Sequence, residues 1–123
     1  MKVVLDTNIL IYAAKAKVDL LRQIHERFNG EAVLPNLVKA ELGKLAETAK
    51  KGSDKKAAKL ALEILEFSKV KEIELEGHAD DAILDWAKKN KAMVATNDLQ
   101  FRKALKKEGI PCFYLKQNQL LKG

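Results

Sequence analysis

Five short apolar runs alternate along this chain with longer segments whose apolar residues recur every three or four positions. The runs are Lys2-Val3-Val4-Leu5, Glu31-Ala32-Val33-Leu34, Lys71-Glu72-Ile73-Glu74-Leu75, Ala92-Met93-Val94-Ala95 and Cys112-Phe113-Tyr114-Leu115. The first and fourth are continuous apolar cores, as strands buried on both faces are. The third alternates, with Ile73 and Leu75 on one side, and reads as an edge strand. Between the runs, periodicity predicts helices over 8–15, 18–28, 36–50, about 54–68, 79–91 and 99–108. Leu20, Leu21, Ile24 and Phe28 form the apolar stripe of the second, and Leu37, Val38, Leu42 and Leu45 that of the third. Ser53 or Asp54 is the expected cap of the fourth, with Leu60, Ile64 and Phe67 turned inward. Gly109 ends the last. Strands alternating with helices predict a three-layer α/β/α sandwich around a mostly parallel five-stranded sheet, in one domain spanning 1–123.

Composition narrows the setting. The chain has 123 residues, 47% hydrophobic and 33% charged, which excludes intrinsic disorder. No apolar run reaches the ~20 residues of a membrane span, and Met1-Lys2 leads straight into the first strand, so no membrane partner and a cytoplasmic location are expected. Cys112 is the only cysteine, so no internal disulfide forms. The net charge of +6 comes from 20 Lys and 3 Arg against 17 acids. Such a surface attracts polyanions, although lysine-rich surfaces also serve solubility alone.

In open parallel sheets, ligands bind beyond the carboxyl ends of the strands. The first strand ends in Leu5-Asp6-Thr7-Asn8 and the fourth in Ala95-Thr96-Asn97-Asp98. Either aspartate alone is an ordinary helix cap. Two of them, each beside a Thr and an Asn, ask for more. Glu41 follows Leu37 by four residues and precedes Leu45 by four, which puts it on the core-facing side of its helix. The plainer alternative is a salt bridge to Lys44. Asp80 and Asp81 open the helix before the fourth strand. Asp80 shares a stripe with Ile83 and Ala87, whereas Asp81 is turned about 100° away. Carboxylates gathered without His or Cys make an oxygen-only site suited to Mg²⁺ or Mn²⁺. One or two such ions would serve in-line phosphoryl displacement. His25 and His78 are poorly placed as general bases.

Taken in order, Asp6-Thr7-Asn8-Ile9-Leu10, Glu41, Asp80-Asp81-Ala82-Ile83 and Thr96-Asn97-Asp98 resemble the motifs of PIN-domain nucleases over essentially the whole chain. The resemblance implies strand order 3-2-1-4-5 and metal-dependent cleavage of single-stranded RNA. It implies Asp6, Glu41, Asp80 or Asp81, and Asp98 as catalytic metal ligands, oriented by Asn8 and Thr96. Val94-Ala95-Thr96-Asn97-Asp98-Leu99 and the basic segment that follows look like archaeal PIN proteins related to the small-subunit rRNA-processing endonuclease, which makes an rRNA precursor the favoured partner. The bare size suits a toxin of a toxin–antitoxin pair, with an antitoxin protein as partner. Members of the family also form homodimers. Lys51, Lys55, Lys56, Arg102, Lys103 and Lys106 are the expected RNA-backbone contacts. The rival from another class is a non-catalytic RNA-binding or ribosome-assembly module.

Overall fold

The computed structural model describes residues 1–123. Strand β1 (Lys2–Leu5) leads into α1 (Thr7–Ala16) and α2 (Leu20–Phe28), then β2 (Glu31–Pro35), α3 (Asn36–Thr48) and α4 (Gly52–Phe67). Next come β3 (Lys71–Ile73), α5 (Ala79–Asn90), β4 (Met93–Ala95), α6 (Leu99–Lys107), β5 (Cys112–Lys116) and β6 (Gln119–Lys122). The sheet order is β3-β2-β1-β4-β5-β6, parallel throughout except for the last pair. β1 is central, with Val4 opposite Val33 on one side and Val94 on the other. Val3, Val4 and Leu5 are fully buried, which is why that strand carries no charge between Lys2 and Asp6. The Phe113 ring packs on Phe28 of α2 at 4.2 Å between centroids. Gly30 sits where a methyl group would meet Ile24 Cγ2 at 2.9 Å and Val3 Cγ2 at 3.0 Å, so α2 can turn into β2 this tightly only at a glycine.

Four expectations need correction. The sheet has six strands, because β5 folds back on itself through Gln117 and Asn118, both at positive φ (50° and 64°). That two-residue turn matches strand twist but carries no glycine to announce it. β3 ends at Ile73 instead of Leu75, although its edge position is as expected. α4 begins at Gly52, with Lys51 at the cap position and no side-chain cap, so Ser53 and Asp54 lie inside its first turn. Leu60, Ile64 and Phe67 do not turn inward, and Phe67 is 88% exposed. The physical reason is that α4 packs chiefly on α1 and α3, in the outer layer. It needs only the narrow stripe of Ala57, Ala58, Ala61 and Leu65, whose small side chains let helices approach closely. The larger apolar residues one position round instead line an open groove of about 720 Å³ with Leu10, Ala13 and Leu20.

Candidate active site

β1 and β4 are neighbours in register, Leu5 opposite Ala95. The residues that follow them therefore emerge side by side, and the Asp6 N–H donates to Ala95 O at 3.0 Å. Asp6 is 7% exposed and caps α1. Its Oδ1 accepts from the Thr7 N–H at 2.8 Å. Its Oδ2 accepts from the Thr96 hydroxyl at 2.7 Å and from Asn8 Nδ2 at 3.3 Å. Thr96, fully buried, has one hydroxyl hydrogen, and the short contact to Asp6 takes it. Its oxygen in turn accepts from the Asp98 N–H at 3.1 Å. Asn8 Oδ1 is satisfied by the Asn97 N–H at 2.8 Å. The Asn97 side chain exchanges two bonds with the backbone of Leu115, at 2.8 and 3.2 Å. The loop carrying Asp98 is thus tied to both β1 and β5. Asp98 caps α6 through the Phe101 N–H at 3.1 Å, so only one of its oxygens is engaged.

Helices bring the other acids. Asn36, at the start of α3, holds the backbone of Leu75 by two bonds of 2.7 and 3.1 Å, and this fixes the approach of the loop that starts α5. A cavity of about 370 Å³ opens between these elements, lined by Asp6, Asn8, Glu41, Asp80, Asp98 and also Asp54, with Ile11 and Leu45 among its apolar walls. Asp81 does not line it. Glu41 is exposed to the cavity and solvent, because Val38 and Leu42 are the buried residues of α3. The reading that aimed it at the core is corrected accordingly, and it makes no ion pair with Lys44.

The cavity's charge is unbalanced. No lysine or arginine lines it. Burial pushes the Asp6 carboxyl up from an ordinary 3.8 to about 6, with Asp80 and Glu41 adding repulsion against the opposing bonds from Thr96 and Thr7. Burial and then the charges of Asp98, Asp81 and Glu41 raise Asp80, with His78 opposing. Oxygen donors under mutual repulsion are the donor set a hard divalent cation fits. No three of the acids stand close enough to enclose one ion directly. An ion held there would keep part of its water shell, as Mg²⁺ characteristically does.

The lysines expected to meet RNA are exposed or half-buried, and none of Lys51, Lys55, Lys56, Lys103 and Lys106 is in an ion pair. The first three lie at the start of α4 and the other two on α6, helices that both begin at the cavity. Arg102 is different: its guanidinium lies 4.1 Å over the Tyr114 ring of β5, and its Nε is buried without a partner. Asp54 was missed as a cavity residue. Its sequence signal is that of a helix cap, and only the packing of α4 across α1 and α3 brings it here.

Comparison with known proteins agrees with this geometry. A family model described as "PIN like domain" matches residues 3–118. Ribonuclease VapC9 of Archaeoglobus fulgidus is 37% identical over 116 residues, covering 94% of this chain and 84% of the relative. Ribonuclease VapC4 of Methanocaldococcus jannaschii is 36% identical, covering 96% and 92%. Among solved structures, the PIN domain endonuclease Utp24 superposes with a TM-score of 0.82 at 23% identity, over 98% of this chain and 90% of that one. A domain of a functionally unknown protein from M. jannaschii follows at 0.62 and 18%, over 94% and 91%. At these identities the structural matches speak to the fold alone. No helix of the chain is long and apolar enough to cross a membrane.

Proposed function

The chain belongs to the PIN-like domain family, and from that premise we propose that it is an endoribonuclease whose carboxylates Asp6, Glu41, Asp80 and Asp98 hold one or two Mg²⁺ or Mn²⁺ ions against single-stranded RNA. The observation that carries this reading is the cavity itself: carboxylates from four different parts of the chain face one space, and no protein cation lines it. When bound, the metal supplies an acidified water and a counter-charge for the phosphoryl oxygens. The chain's own part is to hold the acids ready. The Thr96 hydroxyl and Thr7 N–H favour the ionised form of Asp6, and the Phe101 N–H pins one oxygen of Asp98. Asn8 and Thr96 link the two aspartates' loops. Lys51, Lys55, Lys56, Lys103 and Lys106 meet the RNA backbone by charge, which holds phosphate without reading sequence.

Of the two cellular roles, a toxin's is the better supported. The relatives above 35% identity are VapC ribonucleases, while the likeness to Utp24 supports the fold. The open apolar groove of α1, α2 and α4 favours a protein partner such as an antitoxin. Processing of an rRNA precursor is the second role, and RNA crosslinking in cells separates them.

The activity is tested with purified protein, Mn²⁺ and a single-stranded RNA. Asp98→Asn preserves the α6 cap and should reduce cleavage at least 100-fold, and chelation should abolish it. Full cleavage by the variant, or in chelator, would overturn the assignment. No cleavage by the native chain, together with no metal-induced rise in melting temperature, would favour the non-catalytic module.

A further inference from the structure

The acid cavity is longer than four carboxylates require. From Asp6 and Asn8 it runs past Ile11 of α1 and Leu45 of α3 and ends at Asp54 of α4. There the Asp54 carboxylate pairs with Lys15, the basic residue in the last turn of α1. Asn8, Ile11 and Lys15 recur at intervals of three and four residues and so share one face of that helix. At 1.5 Å per residue, Lys15 stands about 12 Å along the axis from Thr7. Glu41 and Leu45 are related in the same way on α3. The cavity therefore has an acidic end, a half-buried aliphatic middle and a far end closed by the Asp54 carboxylate, which Lys15 pairs from outside the lining. Its volume, about 370 Å³, lies near the bottom of the ~300–1,000 Å³ range of small-ligand pockets. That is room for about one nucleotide.

We propose that Ile11, Leu45 and Asp54 form a nucleobase subsite, which seats the base of the nucleotide whose phosphate lies at the carboxylates. The placement of the phosphate rests on the ribonuclease reading above. Ile11 and Leu45 give the flat face of a base an apolar wall, and both are partly exposed and so open to it. The Asp54 carboxylate gives the base edge a partner. A carboxylate accepts two parallel N–H groups. Guanine is the base that presents two adjacent N–H donors on one edge, so it is the base this carboxylate complements. The Asp54 carboxylate has lone pairs enough to keep Lys15 while accepting from the base. Asp54 lines the cavity, and with side chains 41% and 33% exposed the Lys15–Asp54 pair contributes little to stability.

The test is binding of GMP, AMP, CMP and UMP to the Mg²⁺-loaded protein, followed by amide chemical shifts. GMP should bind tightest and move the amides of Ile11, Lys15, Leu45 and Asp54. Asp54→Asn should cut GMP affinity about tenfold, to the level of the other three. Leu45→Ala should weaken all four roughly fivefold. Equal affinity for the four nucleotides, no binding, shifts confined to the surroundings of Asp6 and Asp98, or an Asp54→Asn variant identical to the native chain would each overturn the subsite. The two readings fail separately. Guanine-selective binding without RNA cleavage would sink the ribonuclease reading alone. Cleavage with no nucleotide selectivity, and no change in the base preference beside the cut in Asp54→Asn, would sink the subsite alone.

Discussion

Asp6→Asn should remove the activity and, in the absence of metal, make the protein more stable at neutral pH. Asp6 is almost wholly buried, and its carboxyl titrates near 6 instead of 3.8, chiefly through burial. In the unfolded chain the same group ionises near its ordinary value. Between those two values the folded chain keeps a proton that the unfolded chain has released. Stability therefore falls as pH rises through the window and levels off above about pH 7. A shift of this size corresponds to about 3 kcal/mol once Asp6 is fully charged, at about 1.4 kcal/mol per pKa unit. Asparagine keeps the Thr7 N–H bond but puts an NH2 donor where Oδ2 accepted from Thr96 and Asn8, which returns roughly 1 kcal/mol. The net gain expected at pH 7.5 is about 2 kcal/mol, or roughly 8 °C in melting temperature for a chain of this length. At pH 4, where the native carboxyl is neutral in the fold, the gain should vanish.

The assay is thermal and urea unfolding of both proteins in chelator at half-unit steps from pH 4 to 8, read as the difference between them so that other titrations cancel. Adding Mn²⁺ at pH 7.5 should then reverse the order, because the native chain binds the ion in its folded state and the variant binds it poorly. A difference that stays constant across the pH range would refute the argument that burial and repulsion strain Asp6. A metal-induced rise equal in both proteins would refute its place among the ligands.

Three further outcomes follow from the same geometry. Thr96→Val removes a fully buried hydroxyl that serves both Asp6 and the Asp98 N–H, so urea unfolding should show a loss of about 1–3 kcal/mol, and the pH at which Mn²⁺ begins to stabilise the protein should move up. Asp80→Asn should reduce RNA cleavage by two orders of magnitude or more while Asp81→Asn stays within roughly threefold of the native rate, and equal losses would refute the assignment of Asp80 alone to the cavity. Gly30→Ala should destabilise the fold by about 1–3 kcal/mol in urea, since a methyl group there collides with Ile24 and Val3 in a packed core.

Much of the fold was legible because its signals are local. Continuous apolar runs marked β1 and β4, and the alternating run marked β3 as an edge. The parts that were not legible depend on partners distant in sequence. Leu60, Ile64 and Phe67 satisfy the inward pattern of a helix as well as Ala57, Ala61 and Leu65 do. Which stripe is buried follows from α4 lying on α1 and α3, not on the sheet. β6 was hidden for a different reason. Gln117 and Asn118 supply the positive φ angles that glycine usually announces, so nothing local separated that hairpin from a tail.

At the site, capping and chemistry turn out to be one arrangement seen twice. Helices that follow parallel strands start at the strands' carboxyl ends, so their positive dipole ends gather at one edge of the sheet. Acids are favoured there, and Asp6 and Asp98 do cap α1 and α6, while Asp80 sits in the first turn of α5; Asp54 sits in the first turn of α4, a helix that follows α3 and not a strand. Lysines are favoured at the opposite ends, and Lys15, Lys88, Lys89, Lys106 and Lys107 occupy the last turns of α1, α5 and α6. Helix polarity thus sorts the charges of a chain with net charge +6 into an acidic cavity and a basic exterior. That is why a cap reading could locate Asp6 and Asp98 from sequence, and why it concealed Asp54. Glu41 is the exception to this sorting. It lies mid-helix, where no cap or dipole favours an acid, yet it faces the same cavity as the others. An exposed Glu is ordinary in a helix, so what sets Glu41 apart is its place in the cavity, where the proposed cation would balance it.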